Sequence, residues 1–219
     1  MNSAIATSEA LSIEYVQLIN SIFVISLNSD YMMRRFLEAP DLGWLPETDG
    51  LTCVHMGEHE VINYAFFNEM TIKESQKKID NRLNVLRRII QGSKRPDLRI
   101  QHYREADSFD SSIADFFQNA YRENGRFRRA VKHQLYRNLH PKLKRMGIKN
   151  ERDARLEEII DFLKEEIAII YSYAKNHGTV FHYISSAKEM DVLSRILRGH
   201  YSVIPPVATE MPNYQFTRI

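Results

Sequence analysis

The sequence predicts an α/β domain with a largely parallel sheet and helices on both faces. Two observations predict it. Short strand-like runs recur at Ile22–Ile25, Leu51–Met56, Leu98–Tyr103 and Thr179–Ile184. The first two are almost unbroken in their apolarity, which is how a strand buried on both faces reads. Between the runs lie segments whose apolar residues recur at helical spacing, and strands alternating with helices indicate a parallel sheet covered on both sides.

The elements follow in order. Ser8 can cap a first helix with Leu11, Tyr15, Leu18 and Ile19 on one face. The first strand, Ile22 to Ile25, ends in the polar turn Ser26-Leu27-Asn28-Ser29-Asp30, and a helix follows through Met32 to Ala39. A loop from Pro40 to Gly50 leads to the strand at Leu51, which Gly57 closes, and a short helix spans His59 to Phe67. Thr71 and Glu74 fit a capping box for a long helix striped by Ile79, Leu83, Leu86 and Ile90. After the strand at Leu98, a helix near Ile113 to Tyr121 precedes a strongly basic one from Arg126 to about Leu139, which Pro141 interrupts. Asn150 with Asp153 starts a long acidic helix that ends near Gly178. Thr179 to Ile184 is a strand, and Ser186 with Glu189 caps a last helix ending at Gly199.

At 219 residues and 43% hydrophobic content, one domain spanning 1–219 is expected. Cys53 is the only cysteine, so neither an internal disulfide nor a cysteine-based zinc site can form, and a reducing compartment is expected. Met1 to Ala10 is polar and acidic and does not read as a secretory signal; no apolar run approaches membrane-spanning length. The expected location is the cytoplasm, with no membrane partner.

The net charge of +2 conceals a strong asymmetry. Residues 1–72 hold two Lys/Arg against ten Asp/Glu, residues 73–104 ten against three, and residues 122–149 ten against one. Two like-charged segments in one small domain repel each other unless a polyanion compensates, which points to a nucleic-acid partner.

No GxGxxG and no P-loop occurs, so a standard dinucleotide or nucleotide cradle is not expected. His55, Glu58, His59 and Glu60 are ordered HxxEHE, neither of the zinc-protease arrangements. A strand end and an exposed helix start account for them, and no metal is expected. Ligands of such sheets bind beyond the carboxyl ends of the strands. That rule selects Ser26 to Ser29, His55 to His59, Tyr103 to Asp107 and Tyr183 to Ser186.

Taken together, the chain resembles the tRNA-dependent cyclodipeptide synthases from about Leu18 to Leu197. Val24-Ile25-Ser26 with Asn28-Ser29-Asp30-Tyr31 resembles that family's Gly-x-Ser strand end and polar loop. Glu74 to Arg88 is similar to its basic tRNA-binding helix, and Gly125 to Ala130 to the start of the next basic helix. Phe162 to Ile170 resembles the Tyr-x-x-x-Glu-Leu-Pro segment, and Val180 to Tyr183 the strand bearing a late tyrosine. Val24 stands where many members have Gly, and the loop after Ser26 is one residue shorter. Phe162 replaces Tyr, Ala168 replaces Pro, and Ile184 replaces a Pro or polar residue.

The resemblance implies a Rossmann-like fold similar to class I aminoacyl-tRNA synthetase catalytic domains, and a single catalytic domain. It implies two aminoacyl-tRNAs used in turn, with no cofactor and no metal, by a monomer. Ser26 would be the nucleophile, Glu166 would anchor the substrate amino group, and Tyr183 would position substrate or assist cyclisation. Ile22, Val24, Asn28, Phe162, Ile169 and Phe181 would form the substrate pocket, and Glu165 would turn about 100° away from it. Lys77, Lys78, Arg82, Arg87 and Arg88, with Arg126, Arg128 and Arg129, would hold the tRNA. Two alternatives remain open: a non-catalytic RNA-binding protein, and another RNA-acting Rossmann enzyme such as a methyltransferase. The missing Gly-rich turn after the first strand argues against the latter.

Overall fold

The computed structural model describes residues 21–48, 50–106, 110–175, 179–184 and 214–218, with side chains described as far as residue 172. The expected helices beginning at Ser8 and Ser186, and the side chains of Phe181 and Tyr183, lie outside the described residues.

Five parallel strands form one sheet in the order β3-β2-β1-β4-β5: β1 (Ser21–Val24), β2 (Leu51–His55), β3 (Leu98–His102), β4 (Thr179–Ile184) and β5 (Tyr214–Arg218). The central strand β1 pairs Ser21 with Leu51 on one side and with Thr179 on the other. Its alternate residues serve two cores. Phe23 and Ile25 join Cys53, Leu51 and Leu98 in a cluster against α1 (Asp30–Glu38) and α3 (Ile72–Gly92), with Val61 of α2 (Glu58–Asn68). Ile22 and Val24 join Val54 and Met56 in a cluster against α4 (Ser111–Glu123), α5 (Gly125–Arg145) and α6 (Ile160–Lys175). Helices thus cover both faces, as the Rossmann-like expectation required.

Caps explain where the helices begin. Ser29 accepts the Met32 N–H at the head of α1. Thr71 and Glu74 form the reciprocal capping box of α3. Asn124 accepts from both Arg126 and Phe127 at the head of α5. Gly57, at φ +52°, closes β2 and leads into α2; a Cβ there would lie 2.4 Å from the His102 ring.

Three boundaries differ from expectation. Pro141 does not end the basic helix, because α5 runs unbroken to Arg145 with the proline inside it. Pro141 removes one N–H donor, but Leu143 is fully buried beyond it and anchors the last turn. Asn150 and Asp153 cap tight turns and a short 3-10 segment, Ala154–Glu158, so α6 starts only at Ile160. Strand β5 was not anticipated: Tyr214–Arg218 alternates aromatic and polar residues over five positions, too short a pattern to separate from a tail.

Candidate functional site

The carboxyl ends of β1, β2 and β3 bring the residues after Val24, His55 and His102 to one edge of the sheet. Ser26 lies two residues past β1. The ladder continues as far as Ile25, whose N–H donates to the Val54 carbonyl at 3.0 Å. The Ser26 carbonyl then accepts from Ser29 N–H at 3.1 Å and closes a turn. Ser29 caps α1, so the Ser26 side chain is not spent on that helix, and Ser26 is half-buried.

Leu27, fully buried, is held at both ends of its backbone. Its N–H donates to Glu60 Oε1 at 2.5 Å, and its carbonyl accepts from Arg82 Nη1 at 2.6 Å. Arg82 also pairs with Asp30 at the start of α1 and lies 5.1 Å over the Tyr64 ring. Glu60 was expected on an exposed helix start. It is instead fully buried, because α2 turns this face onto the loop after β1. Burial raises its carboxyl pKa to about 8; the Leu27 and Met56 N–H groups oppose the shift, and the Glu166 charge adds to it. Glu60 Oε2 has no hydrogen-bond partner among the described residues.

Helix α6 is buried on every side from Leu163 to Ser172. Glu166 sits 8% exposed within the field of Glu60. Glu165, expected to turn away from the pocket, is equally buried at 8%. Burial raises its pKa, which Arg104 opposes and Asp161 and Glu58 reinforce. Lys164 points elsewhere, to Gln118 and Asp161 and over the Tyr121 ring. Ile22, Val24 and Ile169 meet in one buried cluster, with Phe162 packed at its margin. Asn28 is half-buried in the loop, its Oδ1 enclosed and without a partner among the described residues.

Beside this region, at the ends of β2 and β3, lies a second polar group. Glu58 Oε2 meets His102 Nε2 at 3.1 Å, and Glu58 Oε1 meets Arg104 at 3.2 Å. Burial, with His102 nearby, lowers the His55 pKa to about 4. Burial also raises the pKa of the Tyr103 hydroxyl, which accepts from Arg104 Nε at 2.6 Å. Among the described residues no cluster of three or more His, Cys, Asp or Glu could hold a metal.

The basic segments divide by use. Lys77, Lys78, Arg87 and Arg88 on α3 are exposed, as are Arg126, Arg128 and Arg129 at the start of α5. Arg82 faces the loop after β1, and Arg95 braces Asp97 and the carbonyls of Leu42, Leu45 and Pro46. The unbroken α5 is about 30 Å long. Its far end carries Lys142, Lys144 and Arg145, and Lys142 feels both Asp30 and Arg82. The expected interruption at Pro141 left these three in the basic segment 122–149 but off its helix.

No protein-family model matches the chain, and no curated protein matches it in sequence. Solved structures do match. A cyclodipeptide synthase (CDPS) from Fluoribacter dumoffii superposes with a TM-score of 0.54 at 14% identity, over 85% of this chain and 87% of that one. AlbC, a cyclodipeptide synthase from Streptomyces noursei, gives 0.50 at 12% identity, over 91% and 94%. Among the described residues no helix is long and apolar enough to cross a membrane. The chain has the Rossmann-like α/β fold of these cyclodipeptide synthases, as the sequence resemblance led one to expect.

Proposed function

We propose that the protein is a cyclodipeptide synthase, a single catalytic domain that joins the amino acids of two aminoacyl-tRNAs into a diketopiperazine. The observation that carries the reading is Ser26: half-exposed, just beyond the central strand, not spent on the α1 cap, and set in a fold shared with cyclodipeptide synthases.

In the first step the Ser26 hydroxyl oxygen attacks the carbonyl carbon of the first aminoacyl ester. The ester bond to the tRNA ribose breaks, and the hydroxyl proton ends on the departing ribose oxygen. The substrate is already an activated ester, so the step balances without ATP or another co-reactant. The free amine of the seryl-bound residue then attacks the second aminoacyl ester and releases the second tRNA. The terminal amine of the resulting dipeptide attacks the Ser26 ester, closes the ring and restores the serine.

Glu166 holds the α-ammonium of the first aminoacyl group by a charge-assisted bond, takes its proton so that the free amine can attack, and passes a proton on to the departing ribose oxygen of the second tRNA. Tyr183, on β4, positions substrate for cyclisation. Ile22, Val24, Asn28, Phe162, Ile169 and Phe181 shape the pocket. Lys77, Lys78, Arg87 and Arg88, with Arg126, Arg128 and Arg129, hold the tRNA phosphates, which position the substrate without specifying the amino acid.

Mass spectrometry of culture medium after bacterial expression is expected to reveal a new diketopiperazine that Ser26→Ala abolishes. Incubation with labelled aminoacyl-tRNA is expected to label the native protein covalently and leave Ser26→Ala unlabelled. Tight tRNA binding with no adduct and no product would instead make the protein a non-catalytic RNA binder.

A further inference from the structure

Leu27 directly follows Ser26, and polar side chains from two different helices grip its backbone. Glu60 of α2 takes the N–H at 2.5 Å and Arg82 of α3 gives to the carbonyl at 2.6 Å. Both bonds are charge-assisted when the groups are ionised, roughly twice as strong as neutral ones. The Leu27 side chain is fully buried in the cluster beneath α1 and supplies a third point of fixation. Arg82 is itself immobilised by Asp30 and by the Tyr64 ring. The residue after the serine therefore cannot rotate without breaking its ties to three helices.

Neither grip is needed for tRNA contact. Arg82 is turned inward, with its side chain 19% exposed, whereas Lys77 and Lys78 on the same helix are open to solvent. Glu60 is fully enclosed, and one of its oxygens has no hydrogen-bond partner among the described residues. A buried carboxyl in that condition costs folding energy that an apolar side chain would avoid. The N–H groups that Glu60 serves are those of Met56, just past β2, and of Leu27, next to Ser26.

We propose that Glu60 and Arg82 are positioning residues for acyl transfer: by fixing both ends of Leu27 they aim the Ser26 hydroxyl at the incoming ester, and Arg82 is not a phosphate contact. The inference rests on the proposed function and deepens it. The step served is the first acyl transfer described above, in which the Ser26 oxygen–carbonyl bond forms as the ribose ester bond breaks.

The experiment is single-turnover acylation with labelled aminoacyl-tRNA at saturating concentration, beside a tRNA-binding titration over salt. Glu60→Ala and Arg82→Ala are expected to slow acylation by about 100-fold, the scale of an ångström-size misplacement. Their tRNA affinity and salt slope are expected to stay those of the native protein. Lysine cannot reproduce the guanidinium fork, so Arg82→Lys is expected to remain slow although its charge is kept. Glu60→Gln keeps an acceptor for the Leu27 N–H and is expected to recover most of the rate, which also covers the case in which Glu60→Ala fails to fold. Weaker tRNA binding with normal acylation in Arg82→Ala, restored by Arg82→Lys, would make Arg82 a phosphate contact and overturn its assignment. A Glu60→Gln rate no better than that of Glu60→Ala overturns the assignment of Glu60. Normal rates in every variant overturn the inference alone, whereas a native protein that never becomes acylated overturns the proposed function with it.

Discussion

Glu165 and Glu166 are neighbours on α6, equally shielded from solvent, yet their surroundings differ: Arg104, Asp161 and Glu58 bear on Glu165, whereas Glu166 bears on Glu60. A helix buried all round turns both carboxylates into the interior, so burial does not tell them apart and only variants will. Under the proposed mechanism Glu166→Gln removes the partner of the substrate ammonium. By analogy with buried charge pairs this costs ~2–5 kcal/mol, a fall in product formation of about 30-fold or more. Glu165→Gln is expected to leave most product formation intact. It should instead flatten the pH dependence of stability, because a carboxyl with a raised pKa disfavours the folded state once ionised. Product rates and melting curves over pH for the two variants check this. A dominant catalytic defect in Glu165→Gln would move the ammonium site to the Arg104 side.

Two buried groups pull stability in opposite directions with pH. Glu60 has a folded-state pKa raised to about 8 from 4.5. Its contribution is full below the unfolded value and is lost as pH rises through about 8. His55 is lowered from 6.5 to about 4, so its contribution is present above the unfolded value and lost as pH falls through about 4. Stability is therefore expected to peak in the weakly acidic range. Urea titrations across pH are expected to show Glu60→Gln losing the alkaline decline while keeping the acid one. An unchanged alkaline limb would contradict the burial of this carboxyl.

Exposed lysines and arginines should be read by salt. Replacing Lys77, Lys78, Arg87 and Arg88 with Ala is expected to weaken tRNA binding and lower the slope of log K against log salt by about 0.7–0.9 for each phosphate no longer neutralised. Because α5 reaches past Pro141, Lys144→Ala with Arg145→Ala is expected to do the same. An unchanged slope would remove the far end of α5 from the interface.

Gly57→Ala meets two obstacles, a positive φ and a Cβ placed 2.4 Å from the His102 ring. A destabilisation of about 1–3 kcal/mol is expected from the backbone strain alone. Pairing it with His102→Ala should relieve the clash and leave the strain, so the double variant is expected to recover part of the stability in urea denaturation. Full recovery would assign the whole cost to the ring.

The order of strands and helices was legible because buried parallel strands and amphipathic helices leave distinct periodicities. Ile22–Ile25 and Leu51–Met56 foretold β1 and β2 to within a residue or two, and Thr71 with Glu74 foretold the head of α3. Pro141 misled, because a local rule about a missing N–H says nothing of Leu143 packing beyond it. At the site, Ile22, Val24 and Ile169 share a buried core; their place in a substrate pocket belongs to the proposed function. The roles of Glu60 and Arg82 were not legible. Glu60 looked like one charge among several on a helix start, and Arg82 like one of ten basic residues in a cationic segment. Only the folded chain brings residues 33 and 55 positions away to the two ends of Leu27.

The central strand finds its second neighbour late. Ser21 pairs with Leu51 after 30 residues but with Thr179 only after 158. During synthesis the β1–β2–β3 half, with the serine turn already framed, can assemble while one flank of β1 still lacks a partner. Ile22, Phe23 and Val24 make that flank an apolar strand edge, the kind of template on which chains join one another. Long-range parallel pairing is also slow to form. The time between completing β3 and delivering β4 is thus a window of exposure during birth, and slowing translation between residues 103 and 179 lengthens it.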